Sequence, residues 1–441
     1  MSAHTFASLS NDNYRRYLGG QAVSLVGTWM QTVAQGWLVL RLTGSGTALG
    51  LVVAVQFLPL LILGPYGGVI VDRLDKRRLL LVTQSALAVL ALTLGVLDVT
   101  HLVRLWEVIV IAGCLGLVNT LDNPARQSFT LEMVGSADLG NAVSLNSVMV
   151  NAARTVGPAV AGLIIATLGV GVCFLINAGS YLAVIASLAT LRVPGLHRAR
   201  PLTRARGQLR EGLRYVRRTP AIAGPLIMMG LVGTLAFEFQ VVLPVVARTT
   251  FHRGAGTYGL MTAAMGVGAV VGGLVVATRA RTGLRALIAG AAGFGVVILG
   301  AAIAPTVATE LLALVLVGAW SIAFLAVGNA TLQLAAEPQM RGRVMSLWAV
   351  AFLGSTPIGG PIAGLVAEQA SPRWALALGG AAALTAALIG VVILTRGRAP
   401  GRPHARAPVG APSAGYAPRA DAAMSSGAAV AGAAEPQPVV G

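Results

Sequence analysis

Polar chemistry is scarce in this chain. Only 11% of its 441 residues are charged, 15 of them acidic, and there is a single lysine, Lys76. A Walker A loop needs lysine within GxxxxGK[ST]; Lys76 has no such setting, so ATP hydrolysis by that route is excluded. The two cysteines, Cys114 and Cys173, fall inside long apolar runs, and neither reads as half of a structural disulfide. All five histidines (His4, His101, His197, His252, His404) fall in loops or tails. No membrane-buried haem or metal centre can be built from them, and no cofactor or metal is expected. With no clustered carboxylates in the apolar runs either, a membrane enzyme is the least favoured reading.

What is abundant is apolar surface. Fully 56% of the chain is Ala, Val, Ile, Leu, Met, Phe, Trp, Tyr or Cys, more than a soluble domain of this length can hide. A crossing helix needs roughly 20 mainly apolar residues, because the hydrocarbon core is about 30 Å thick. Twelve stretches qualify: 17–40, 48–71, 79–97, 105–123, 140–167, 170–191, 221–247, 255–278, 284–304, 307–333, 343–369 and 373–395. Only Gly169 and Gly171 separate the fifth from the sixth, which leaves the count open by one there. The runs are continuous rather than alternating, which predicts helices and not barrel strands. The expected fold is an all-α integral membrane protein, twelve transmembrane helices in two six-helix halves. The first span lacks a small-residue cleavage site and is expected to be retained.

The net charge of +17 is placed, not scattered. Assigning alternate loops to the cytoplasm puts 26 of the 32 Lys and Arg inside, five outside and Arg154 within a span. That bias predicts cytoplasmic termini and accounts for the charge through topology and lipid headgroups, with no nucleic-acid partner. The divisions are 1–16 (N-terminus), 17–191 (first half), 192–220 (basic cytoplasmic linker), 221–395 (second half) and 396–441 (Ala/Pro/Gly/Ser-rich tail, read as disordered). Gln208 to Arg218 has the pattern of a basic amphipathic helix on the inner leaflet, and a plain solvated linker fits it nearly as well. Gly140, Ser144, Leu145, Gly157, Ala161, Gly162 and Leu163 recur 202 residues later as Gly342, Ser346, Leu347, Gly359, Ala363, Gly364 and Leu365. Two repeated halves are a transporter design, with the site between them near mid-membrane. Arginine outnumbers lysine 31 to 1, which with heavy Ala, Gly and Val use suggests a GC-rich bacterial genome.

The loop after the second span reads Gly68, then Asp72-Arg73-Leu74-Asp75-Lys76-Arg77-Arg78. Gly68 permits close helix approach, and Asp72 is placed to cap a helix or pair with arginine. Such a contact would latch the cytoplasmic ends together in one state; the alternative is a positive-inside loop with incidental acids. The corresponding loop of the second half, Arg279-Ala280-Arg281-Thr282-Gly283, lacks the acid. The first loop resembles the signature of the major facilitator superfamily. Leu121-Asp122-Asn123-Pro124-Ala125-Arg126-Gln127, then Asp138, Asn141, Leu145, Asn146, Arg154, Gly157, Pro158 and Gly162, resembles its twelve-span exporter branch, which includes enterobactin exporters and macrolide-efflux proteins. The resemblance covers residues of about 12–395 and implies a proton-coupled exporter of amphipathic small molecules. One departure stands out: Glu238 occupies a place that branch usually gives to asparagine.

Buried polar residues mark the candidate site, since a charge at mid-membrane costs roughly 2.5–3.5 kcal/mol or more. Arg154 is 14 residues past Gly140, and Glu238 is 17 residues into its span, comparable depths. Ser147, Asn151, Arg154 and Pro158 share one helical face, as do Ser24, Thr28, Gln31 and Gln35, and these stripes are expected to wall a wet cavity unless they only join helices. Glu238 is the expected proton carrier, its proton competing with the approach of Arg154 or a cationic substrate; a permanent Arg–Glu pair is the structural alternative. Asp122 and Arg126 are expected at the cytoplasmic end of the fourth span, where Pro124 ends the helix, in a gating role. Gly157, Pro158 and Gly162 resemble the bend motif of antiporter fifth spans, or form a packing kink alone. The preferred function is proton-driven efflux of a hydrophobic or amphipathic compound, a drug or siderophore, from the bacterial inner membrane. Rivals are a proton-coupled nutrient importer and a transport-dead sensor or scaffold. The partners expected are a small-molecule substrate, protons and membrane lipid, with the protein a monomer.

Overall fold

The computed structural model describes residues 7–191, 208–279 and 282–396. The linker stretch 192–207 and the tail beyond Arg396, about which the sequence carried expectations, lie outside the described residues. The first half comprises α1 (Asp12–Thr43), α2 (Gly46–Arg73), α3 (Lys76–Val99), α4 (Leu105–Thr167) and α5 (Val170–Ala189). A short α6 (Gln208–Arg218) precedes the second half: α7 (Pro220–Leu235), α8 (Phe239–Val245), α9 (Ala255–Arg279), α10 (Leu284–Ala302), α11 (Val307–Ala335), α12 (Arg341–Leu353), α13 (Thr356–Gln369) and α14 (Pro372–Arg396). Among the described residues there is no strand.

Among the described residues, ten helical stretches are long and apolar enough to cross a membrane. Twelve crossings fit once two features are considered. The 63 residues of Leu105–Thr167 would run about 95 Å if straight, three times the hydrocarbon thickness, and they turn back at Gly135 (φ 72, ψ 178). The stripe of Gln21, Gln31 and Gln35 dilutes the hydropathy of α1. The expected end at Pro124 is not found. Helix continues past it to Val134, because a proline removes one hydrogen bond and bends a helix without having to end it. The uncertain fifth and sixth spans do separate, at Gly169 (φ 95). Two other spans are interrupted, at Ala236–Glu238 between α7 and α8 and at Gly354–Ser355 between α12 and α13.

The halves meet along two seams, α2 against α13 and the second part of α4 against α9. A side chain on Gly46 would strike the carbonyl of Gly364, and one on Gly50 that of Gly360; Gly162 lies equally close to Gly256 and Gly259. Small residues let the backbones touch, which in lipid substitutes for hydrophobic attraction. The 202-residue repeat now has a cause: Gly162 and Gly364 occupy equivalent places in the two seams. Gly157 and Gly359 do likewise inside each half, against Val26, Trp29 and Met30 of α1 and against Thr234 and Glu238 of the broken seventh span. Both seams lie at the end remote from the 72–78 loop.

The turn at Gly135 is bracketed by the N-terminal stretch. Asn11 Nδ2 donates to Met133 O at 2.7 Å, and Tyr14 Oη donates to Ala142 O at 2.9 Å. Only glycine adopts φ 72 with ψ 178 readily. Gly135→Ala is therefore expected to cost about 1–3 kcal/mol and lower the thermal midpoint in detergent micelles. Gly140→Ala, helical and with open space around the added carbon, is the control and should leave the midpoint unchanged or raise it.

Candidate functional site

The break between α7 and α8 places Glu238. Phe237 packs on Phe294 at 5.1 Å and edge-on to Phe352 at 5.0 Å, so aromatic rings from α10 and α12 hold the unwound residues in place. Next to them the Glu238 side chain turns inward, 4% exposed. The Thr356 hydroxyl bonds its carboxyl group, yet Oε1 has no partner. Gly359 of α13 makes the room, since a carbon on it would sit 2.7 Å from Oε1. A buried carboxyl oxygen without a donor is expensive, and native structures rarely leave one unexplained.

Arg154 does not neutralise it. Its guanidinium lies 5.5 Å from the centroid of the Trp29 ring, a cation–π contact inside the first half. Asn151 and Ser147, on the same face, donate to carbonyls one turn back in their own helix, Ser147 O at 2.8 Å and Val143 O at 2.9 Å. The α1 stripe is bonded to neighbouring helices. Gln31 Oε1 accepts from Asn177 Nδ2 of α5 at 2.5 Å, and Gln35 Nε2 donates to Gln56 Oε1 of α2 at 2.8 Å. Thr28 bonds Ser24 O at 2.9 Å and the Tyr181 side chain. Gln31, Gln35 and Thr28 thereby join helices within one half, while Ser24 Oγ is buried without a partner.

The tightest polar cluster surrounds Asp122, which is fully buried. Its Oδ1 accepts from Thr83 Oγ1 at 2.6 Å and Gln84 Nε2 at 2.8 Å of α3, and Oδ2 accepts from Arg126 Nε at 2.5 Å. Arg126 also donates to Gln21 Oε1 at 2.6 Å, and Gln21 to Tyr17 Oη at 3.1 Å. Helix through Pro124 sets this geometry, placing Asp122 and Arg126 one turn apart on α4. Three helices are thereby fastened through one carboxylate.

The 72–78 loop is engaged with its own half. Arg77 donates to Leu188 O at 2.7 Å and Ala189 O at 2.8 Å, capping α5, while Asp75 accepts from Arg78 N at 2.9 Å and caps α3. Lys76 Nζ lies 3.4 Å from Glu132 Oε1 on the continuation of α4. Gly68 lies within α2, and among the described residues Asp72 and Arg73 form no side-chain hydrogen bond or ion pair to the second half. Pro158 stays within helical α4, where its carbonyl faces Gly259. One residue escaped sequence reasoning. Glu310, 1% exposed, has an unpartnered Oε1 and feels the charge of Arg373. It lies in the first turn of α11, where acids are ordinary, so its burial left no mark in the pattern.

The sequence profile of a family described as transmembrane secretion effectors matches residues 3–406. The multidrug efflux pump Tap of Mycolicibacterium fortuitum is 27% identical over 358 residues, 78% of this chain and 86% of Tap. The staphyloferrin A transporter of Staphylococcus aureus is 27% identical over 57% of this chain. The shared stretch spans 63% of that relative's length and 50% of a Bacillus subtilis transporter's. In fold, the chain is similar to the crystal structure of nucleoside transporter NupG, with TM-score 0.71 at 11% identity over 87% of this chain and 99% of that one.

Removing one member of a buried charged pair leaves the other uncompensated, at about 3–5 kcal/mol. Asp122→Ala and Arg126→Ala should each lower the unfolding midpoint by an amount of that order. The double variant should lose less than the sum, because the two share one network. Strict additivity in a thermal-unfolding cycle would show that they do not act together.

Proposed function

Since the chain belongs to the transmembrane secretion effectors of the major facilitator superfamily and crosses the membrane many times, we propose that it exports a hydrophobic or amphipathic small molecule from a bacterial cytoplasm, driven by protons. The substrate class is a drug or siderophore, in keeping with relatives named for multidrug efflux and for staphyloferrin A transport. The arginine-rich end, with both termini, is cytoplasmic by the positive-inside rule, and the protein is a monomer of the inner membrane. The glycine seams then close the outer side, and substrate enters from the cytoplasm. Rocking of the halves about the seams would bring the 72–78 loop, with Asp72 free to pair, against the second half.

The observation that carries this reading is the half-satisfied carboxyl group of Glu238 at a helix break facing α13. Neutral, it is tolerated in that niche. Charged, it needs water, Arg154 or a cationic substrate, so loss of its proton favours rearrangement and links proton release to substrate movement. Asp122 and Arg126 fasten the first half near its cytoplasmic end and set how it moves as a body.

Two measurements test this. Deletion of the gene should change either the secreted metabolites or the sensitivity to a panel of amphipathic drugs; no change in both would remove the export reading. Glu238→Gln should abolish efflux of the responsive compound driven by an imposed pH gradient while sparing substrate counterflow at equal pH. Gradient-driven efflux at the parental rate would remove Glu238 from the coupling.

A further inference from the structure

The corner between α1 and α2, Leu40 to Thr47, is where the second half takes hold of the first. The end of α1 exposes the carbonyl of Leu40, which accepts from Gly44 N at 2.8 Å and from the guanidinium of Arg248. Arg248 stands in the turn after α8, so it reaches across from the other half. A few residues on, α2 begins. There Glu368, at the end of α13, accepts from Ser45 Oγ at 2.5 Å and Thr47 N at 2.8 Å. Each group answers a helix end: a cation at the carbonyl terminus of α1 and an anion at the amide terminus of α2. Meanwhile Arg41 pairs with Asp98 of α3, so the corner is fixed to its own half before the second half grips it.

The grip does not follow the repeat. Residue 166, 202 positions before Glu368, is Ala166, which can accept nothing through its side chain. The seams are two-fold, whereas the capping ties are made at one corner by one half.

We propose that Arg248 and Glu368 are positioning residues that set the balance between the two access states, as a double helix cap formed only while this end is closed. The proposal rests on the alternating-access part of the functional reading and on neither substrate nor coupling ion. Opening this end strips α1 of an acceptor's partner and α2 of its anionic cap, exposing both termini to water. Breaking either tie in advance therefore moves the balance towards the open state.

Pulsed electron-spin distances between labels at Leu102 and Ile303 report on this, with Cys114 and Cys173 replaced by alanine and the protein in lipid nanodiscs without substrate or pH gradient. Both label sites are exposed, at 64% and 78%, at this end of opposite halves. Arg248→Ala and Glu368→Ala should each raise the open-to-closed ratio about fivefold, the size of one lost helix cap, and the double variant about 25-fold. Glu368→Gln keeps an oxygen that accepts from both donors and should stay near the parent. Parental distance distributions in both alanine variants, with protein that remains monodisperse, would overturn the proposal; so would a glutamine variant that opens as far as the alanine one. A failed proton-efflux assay would leave this measurement untouched.

Discussion

Backbone-to-backbone contact at the two glycine seams is the constraint on which the rest of the molecule depends. Lipid tails are as apolar as leucine, so two helical halves gain little by hiding side chains from them. They gain by coming close enough for dispersion and weak carbonyl contacts, and only residues without a side chain allow it. Gly46, Gly50, Gly360 and Gly364 do this in one seam; Gly162, Gly256 and Gly259 do it in the other. Everything polar is arranged around those lines. The Asp122 network holds the first half rigid near the arginine-rich end, and Glu238 lies behind the first seam on the far side of α13.

The two halves carry different kinds of polar group. In the first, Gln31 is paired with Asn177, Gln35 with Gln56 and Asp122 with three donors, while Ser24 Oγ and Gln84 Oε1 are buried without a partner. A buried carboxylate with three donors is held in place, because each missing bond would cost more than the bond gains. In the second half, helices break at Ala236–Glu238 and at Gly354–Ser355, and both buried glutamates, Glu238 and Glu310, keep an oxygen without a donor. Unpartnered polar atoms occur in both halves, and among the described residues it is the interrupted spans and the unpartnered carboxyl oxygens that set the second half apart.

Much of this was legible in the sequence. Hydrophobic run length located the apolar helices, because bilayer thickness imposes it, and the bounds of α6 and of every span but the fourth came close to those expected. The glycine repeat was visible too, though its meaning waited on seeing that Gly162 and Gly364 meet equivalent partners across the seams. Side-chain direction was not legible. The spacing of Ser24, Thr28, Gln31 and Gln35 fixed a face of α1 and said nothing of whether that face looked to α5 or to a cavity. Pro124 read as a terminus because proline discourages helix, and the sequence gives no count of the tertiary contacts that let helix continue to Val134. Glu310 was hidden for a similar reason, since a first-turn acid looks the same whether it is exposed or buried.

Fixed polar contacts also bear on how a nearly symmetric frame is made to favour one side. With two equivalent seams at one end, neither half is distinguished from the other, because Gly162 and Gly364 recur 202 residues apart in equivalent places. Asymmetry enters through single residues laid over the frame. The 72–78 loop has Asp72 where the second half has no acid; Glu368 stands where the first half has Ala166; Glu238 lies against Gly359 where the first half sets α1 backbone and the Trp29 side chain against Gly157. Each is a feature that one half has and the other lacks. A handful of such contacts, each worth about 1 kcal/mol, is enough to bias a two-state equilibrium by orders of magnitude. Backbone packing makes the halves alike at the seams, and a few ionisable side chains make them differ.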